Sequence, residues 1–96
     1  MNINLNKNED KLIISLEGRL DTTTSPELES EYKKLDEKNI VLDLKDLNYI
    51  SSAGLRVLLT MQKEMNKKGT LEIINVCDDV RDIFEVTGFN DILNIK

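Results

Sequence analysis

The residues best placed to do chemistry in this chain are two adjacent serines, Ser51 and Ser52, in the segment Asp46-Leu47-Asn48-Tyr49-Ile50-Ser51-Ser52-Ala53-Gly54-Leu55. They stand where a compact apolar run hands over to a helical pattern. Their hydroxyls therefore fall at a helix N-terminus, among backbone N–H groups with no partner inside the helix. Two uses suit that position. One serine can be a plain N-cap, worth about 1 kcal/mol. Alternatively, a phosphate on one of them would place about −1.5 to −2 charges at the positive end of the helix dipole. Arg56 follows Ser52 by four residues, within a helical turn. It can pair with such a phosphate or stand solvated.

Enzymatic uses of the same serines are poorly supported. There is no Gly-x-Ser-x-Gly elbow, and the chain has no histidine to serve as base. A Ser–Lys pair is the remaining nucleophilic arrangement, and no motif accompanies it. The absence of histidine also removes the commonest metal ligand. Cys77, the single cysteine, has no partner for an intramolecular disulfide and reads as a small apolar residue. No glycine-rich phosphate loop is present. No catalytic residue, cofactor or metal site is expected.

The elements that must position the serines follow from periodicity. Ile3 and Leu5 alternate with asparagines, Asn8-Glu9-Asp10 is a turn cluster, and Lys11 to Glu17 alternates again, so a hairpin ending at Gly18 is expected. A helix starts near Pro26, with either Ser25 as its cap or Thr24 and Glu27 as a capping box, and runs to about Glu37. Its thin stripe of Leu28, Tyr32 and Leu35 places it at the surface. Ile40 to Leu44 reads as an interior parallel strand. A second, more deeply packed helix runs from about Ser52 to Lys67, and Gly69 stops it. Leu71 to Val76 is a strand. A third helix opens at Asp78-Asp79, buries Val80, Ile83 and Phe84 on its inner face, with Val86 as a further candidate, and ends at Gly88; Phe89 and Ile92 lead into a short last strand or coil. The expectation is one α/β domain over residues 1–96, in the order β-β-α-β-α-β-α(-β), with a small mixed sheet and helices mainly on one face. The loops holding Thr22-Thr23-Thr24 and Ser51-Ser52 each join a strand to the following helix, which puts them at one end of the sheet.

A net charge of −5 argues against nucleic acid and against an anionic membrane surface as partners. No apolar run approaches the length of a membrane span, and the N-terminus alternates instead of forming a signal-peptide core. A cytoplasmic location is expected. The sequence leaves the oligomeric state open, with a monomer as the default.

Leu44-x-Asp46-Leu47-x-Tyr49-Ile50-Ser51-Ser52-Ala53-Gly54-Leu55, with Gly18-Arg19-Leu20-Asp21 upstream and Val86-Thr87-Gly88-Phe89 downstream, resembles the STAS domain family, and within it the single-domain anti-sigma-factor antagonists of bacteria. The resemblance covers nearly the whole chain. It implies a protein-binding switch and no enzyme. The partner would be an anti-sigma factor with serine kinase activity, which binds the unphosphorylated domain and so gives up its sigma factor; a PP2C-like phosphatase would reset the switch. The serine two residues before the glycine, Ser52, would be the phosphorylation site. Asp21 would contribute to partner binding, within a patch of Asp21, Thr22, Thr23, Ser51, Ser52, Ala53, Gly54 and Arg56. The sequence departs from the family at Ser51, where aspartate is common. That departure makes Ser51 a second candidate acceptor. It also keeps open an alternative, a constitutive STAS interaction module in a signalling scaffold or transport-associated complex.

Overall fold

A computed structural model describes residues 1–96. The chain runs through β1 (Asn2–Asn8), β2 (Lys11–Leu20), α1 (Ser25–Lys33), β3 (Asn39–Ile50), α2 (Ser52–Lys68), β4 (Thr70–Ile74) and α3 (Asp78–Thr87), followed by one 3-10 turn at Phe89–Asp91. The strands form one sheet in the order β1-β2-β3-β4. β1 and β2 are the expected antiparallel hairpin, while β2–β3 and β3–β4 are parallel.

Strand alternation decides which side of the sheet is covered. Leu12, Ile14 and Leu16 of β2, Ile40, Leu42 and Leu44 of β3, and Leu71 and Ile73 of β4 are buried. They join residues from all three helices in a single apolar cluster. The alternate positions, including Asn2, Asn4, Asn6, Glu17, Asp43 and Glu72, are exposed or half-buried. The helices therefore pack on one face, and the opposite face is mainly polar, with Ile13, Val41 and Ile74 as apolar members at its centre.

α2 supplies the largest helical share of the core, with Leu55, Val57, Leu58, Met61 and Met65 buried. α1 buries Leu28 and Tyr32, and the Tyr32 hydroxyl donates to Glu64 Oε1 of α2 at 3.0 Å. Burial, with Glu64 adding to it, pushes the Tyr32 hydroxyl up to about 12.

Several boundaries differ from the sequence reading, for identifiable reasons. β2 continues through Gly18 to Leu20, and β3 continues to Ile50. The extra length of β3 contains two irregular steps: Ser15 pairs with Asp43 but Glu17 with Asp46, and Gly18 pairs with Leu47 but Arg19 with Tyr49. Each step adds one residue to β3, as a bulge does. Inward residues thus fall at Leu44, Leu47 and Ile50, three apart, which no longer reads as alternation. α1 stops at Lys33, with Lys34 and Leu35 closing on Glu31 and Tyr32 carbonyls. β4 ends at Ile74, before Asn75 turns to a positive φ of 58°. Val86 does not face inward: it is 85% exposed, on the far side of α3 from Val80 and Phe84.

The expected last strand is reduced to a single bridge, Ile73–Ile95. The tail is nonetheless well anchored. Ile73 donates to the Asn94 carbonyl, Lys96 donates to the Ile73 carbonyl, and Asn94 donates to the Oε1 of Gln62, a buried side chain on α2. The tail therefore covers the outer edge of β4. At the start of β4, α2 turns into the strand at Gly69. A Cβ there would lie 1.6 Å from the Lys38 carbonyl oxygen, so only glycine allows this approach.

Leu58 is fully buried at the centre of the apolar face of α2. Leu58→Ala should cost about 2–5 kcal/mol by leaving a cavity, read as a lowered urea midpoint with an unchanged slope.

Candidate functional site

The two loops singled out by the sequence meet at the ends of β2 and β3. Leu20 pairs with Ile50 as the last step of the parallel ladder, and the Ser51 N–H donates to the Leu20 carbonyl at 2.9 Å. α2 then starts immediately above this junction. A Cβ on the buried Gly54 would lie 2.8 Å from the Leu20 carbonyl oxygen, from Leu20 Cγ and from Ile50 Cγ1. Such distances are too short for real side chains, so the helix backbone can sit this low only with glycine at 54.

The loop from Leu20 to α1 is organised by Asp21. Its Oδ1 accepts the N–H of Thr23 at 3.0 Å, the Thr23 hydroxyl at 2.8 Å and the N–H of Thr24 at 3.1 Å. The Thr24 hydroxyl accepts the Asp21 N–H and donates to the Arg19 carbonyl, both at 2.8 Å. The buried Ser25 hydroxyl donates to the Asp21 carbonyl. This settles the choice left open at the start of α1. Thr24 occupies the cap position without a capping bond from its side chain, Pro26 lies in the first turn, and Asp21 satisfies the loop's N–H groups from outside the helix. The Thr23 hydroxyl, followed by the N–H groups of Thr24 and Thr23, holds the Asp21 carboxyl down at about 2 against an opposing effect of burial.

The serines divide their roles. Ser51 is the N-cap of α2, half-buried, with its hydroxyl accepting the Gly54 N–H at 3.4 Å. Ser52 is the first helical residue and is exposed, with its hydroxyl free of other protein groups. Arg56 is also exposed and makes no ion pair. Together with Thr22, Ala53 and Glu29 it lines a shallow groove of about 200 Å³ between α1 and α2. The structure thus gathers Asp21, Thr22, Thr23, Ser51, Ser52, Ala53, Gly54 and Arg56 at one end of the domain. Thr22 and Thr23 are exposed, Ala53 is half-buried and Gly54 is buried.

Two neighbours were not foreseen. The Arg19 guanidinium stacks over the Tyr49 ring at 4.2 Å, and its Nε lies 3.7 Å from Asp21 Oδ2. Their pairing depends on the irregular register between Gly18 and Arg19, which residue spacing does not reveal. No group of three or more Cys, Asp or Glu side chains is arranged to hold a metal ion. No helix is long and apolar enough to cross a membrane.

The STAS domain family model matches residues 2–96. The chain belongs to the STAS domain family. BtrV of Bordetella bronchiseptica is 36% identical over 99% of this chain and 85% of its own length. The anti-sigma-B factor antagonist of Bacillus subtilis is 29% identical over the whole of this chain and 91% of its own. Among solved structures, the phosphorylated form of the Bacillus cell fate determinant SpoIIAA superposes with a TM-score of 0.76, covering 99% of this chain and 91% of that one at 17% identity. Its likeness is in the fold, and the mixed sheet with three helices is the STAS architecture that the sequence resemblance implied.

Two outcomes follow for this STAS domain. Gly54→Ala should cost about 1–3 kcal/mol through overpacking, and should shift the amide resonances of Leu20, Ser51 and Ser52 together in a heteronuclear NMR spectrum. Asp21 contributes stability while its carboxylate is ionised. Its folded pKa of about 2 lies below the ordinary value, so that stability is present above about pH 4 and is lost as pH falls towards 2. Asp21→Asn should therefore show a shallower fall in melting temperature between pH 4 and pH 2 than the wild type.

Proposed function

We propose that this protein is an anti-sigma-factor antagonist whose binding is gated by phosphorylation of Ser52. The observation that carries the reading is the division between the serines. Ser51 is committed to capping α2, whereas Ser52 presents an unengaged, exposed hydroxyl on the first turn of the same helix. N–H groups of that turn and the unpaired Arg56 provide a favourable setting for a phosphate. Membership of the STAS family and relatives named as anti-sigma factor antagonists supply the class of partner.

In this reading the unphosphorylated domain binds a cytoplasmic anti-sigma factor through the patch from Asp21 to Thr23 and from Ser51 to Arg56. The sigma factor held by that partner is released. The partner's serine kinase activity transfers a phosphoryl group to Ser52, and the added charge and bulk block the interface by repulsion and desolvation. A PP2C-like phosphatase removes it. The protein itself catalyses nothing, because the partner brings the nucleotide and magnesium. Ser51 in place of the family's frequent aspartate favours the second reading, a constitutive module without phosphorylation.

The two readings are separated by substitutions that leave the fold intact. Ser52 is not the cap, and α2 has no acid in its first turn, so aspartate at 52 suits the helix dipole. Ser52→Ala should bind the anti-sigma factor recovered by pull-down from the native cell as the wild type does, and should resist phosphorylation by it. Ser52→Asp should bind at least about tenfold more weakly, a difference of about 1.4 kcal/mol, with an unchanged melting curve. Equal affinity of Ser52→Asp and wild type at equal stability would leave the constitutive module.

A further inference from the structure

The two edges of the sheet are treated differently. The outer edge of β4 is occupied by the chain's own tail through the Ile73–Asn94 and Lys96–Ile73 hydrogen bonds. The outer edge of β1 is open. β1 is seven residues long, pairs with β2 in unbroken register from Asn2↔Glu17 to Asn8↔Lys11, and has neither a proline nor a bulge. In an antiparallel ladder alternate residues turn their N–H and C=O groups outward, so this edge offers a continuous row of unpaired donors and acceptors.

The sequence of β1, Asn2-Ile3-Asn4-Leu5-Asn6-Lys7-Asn8, is nearly the same read in either direction. The register with β2 puts Ile3, Leu5 and Lys7 on the helical side of the sheet and the four asparagines on the polar side. On the helical side a groove of about 390 Å³ lies between β1 and α1, lined by Met1, Ile3, Leu5, Glu27, Ser30 and Glu31. Its floor is apolar and its α1 wall is acidic. Leu5 is 44% exposed there.

We propose that a second copy of this chain pairs with β1, antiparallel about a two-fold axis through Leu5, to make a continuous eight-stranded sheet. In that register Leu5 meets Leu5, Asn4 meets Asn6 and Asn2 meets Asn8, so the amide side chains can donate to and accept from one another. Ile3 faces the second copy's Lys7, whose ammonium then overhangs the acidic wall formed by Glu27 and Glu31. Lys7 already pairs with Glu37 of its own chain, and the acids of the second copy surround it further. The contact uses the same surface on both chains, so it closes on itself. The sealed β4 edge prevents growth into longer sheets. An edge contact of this kind buries less than a standard interface, so the dimer is weak and forms with rising concentration.

Sedimentation velocity from micromolar to millimolar chain tests this. The wild type should pass reversibly from monomer to dimer. Leu5→Lys should raise the dissociation constant at least tenfold while keeping the circular dichroism melt of the wild type. Lys7→Glu is the second variant, at an exposed side chain; it should also weaken the dimer, and adding Glu27→Lys and Glu31→Lys should restore it. A monomer throughout the range, species larger than a dimer, or a dimer indifferent to both single substitutions would overturn the proposal.

Discussion

The first turn of α2 rests on backbone, and the end of the domain that holds the candidate site is built around that contact. With no Cβ at Gly54, the helix comes down onto the Leu20 carbonyl, which also receives the Ser51 N–H. One peptide group of β2 thereby locates both the loop that follows it and the helix start that follows β3. Asp21 begins where Leu20 ends, and Ser52 begins where the hydrogen bond to Leu20 stops. Neither loop needs long side-chain contacts to find the other, because the parallel pairing of Leu20 with Ile50 has already placed their roots side by side.

Much of this was legible in the sequence, and the limits are instructive. Alternation in β1 and β2 and the broad apolar face of α2 gave the hairpin, the second helix and the covered face of the sheet. The N-terminal half of β3 was also clear, because an interior strand is apolar on both sides. Its second half was hidden by two inserted residues. Leu44, Leu47 and Ile50 are buried three apart, a spacing that belongs neither to a regular strand nor to a helix. The same insertions concealed Arg19 over Tyr49. The choice of cap at α1 was hidden for a different reason. Ser25, Thr24 and Asp21 all have suitable side chains, and only the path of the loop shows that Asp21 gathers the N–H groups. At α2 the sequence allowed either serine as cap, and the geometry assigns that work to Ser51.

The polar residues at this end therefore differ in how freely they are presented to solvent. Asp21 and Ser51 are occupied in holding the loops, one by three donors and one by the helix start. Thr22, Ser52 and Arg56 are exposed. A surface with this division combines a stiff frame with a few free groups, an arrangement that would lower the ordering cost of the binding proposed for it. At 17% identity, what the chain shares with SpoIIAA is the fold.

The glycine at the far end of α2 completes the picture. Gly69 lies against the Lys38 carbonyl even more closely than Gly54 lies against that of Leu20, so the helix meets backbone at both termini. A rod fixed at both ends can neither slide along its length nor tilt without breaking one of them. Whatever happens at residue 52 is therefore displayed where it occurs. In the proposed reading, the domain would therefore act at the surface where residue 52 lies, and not as a lever that carries motion across the molecule.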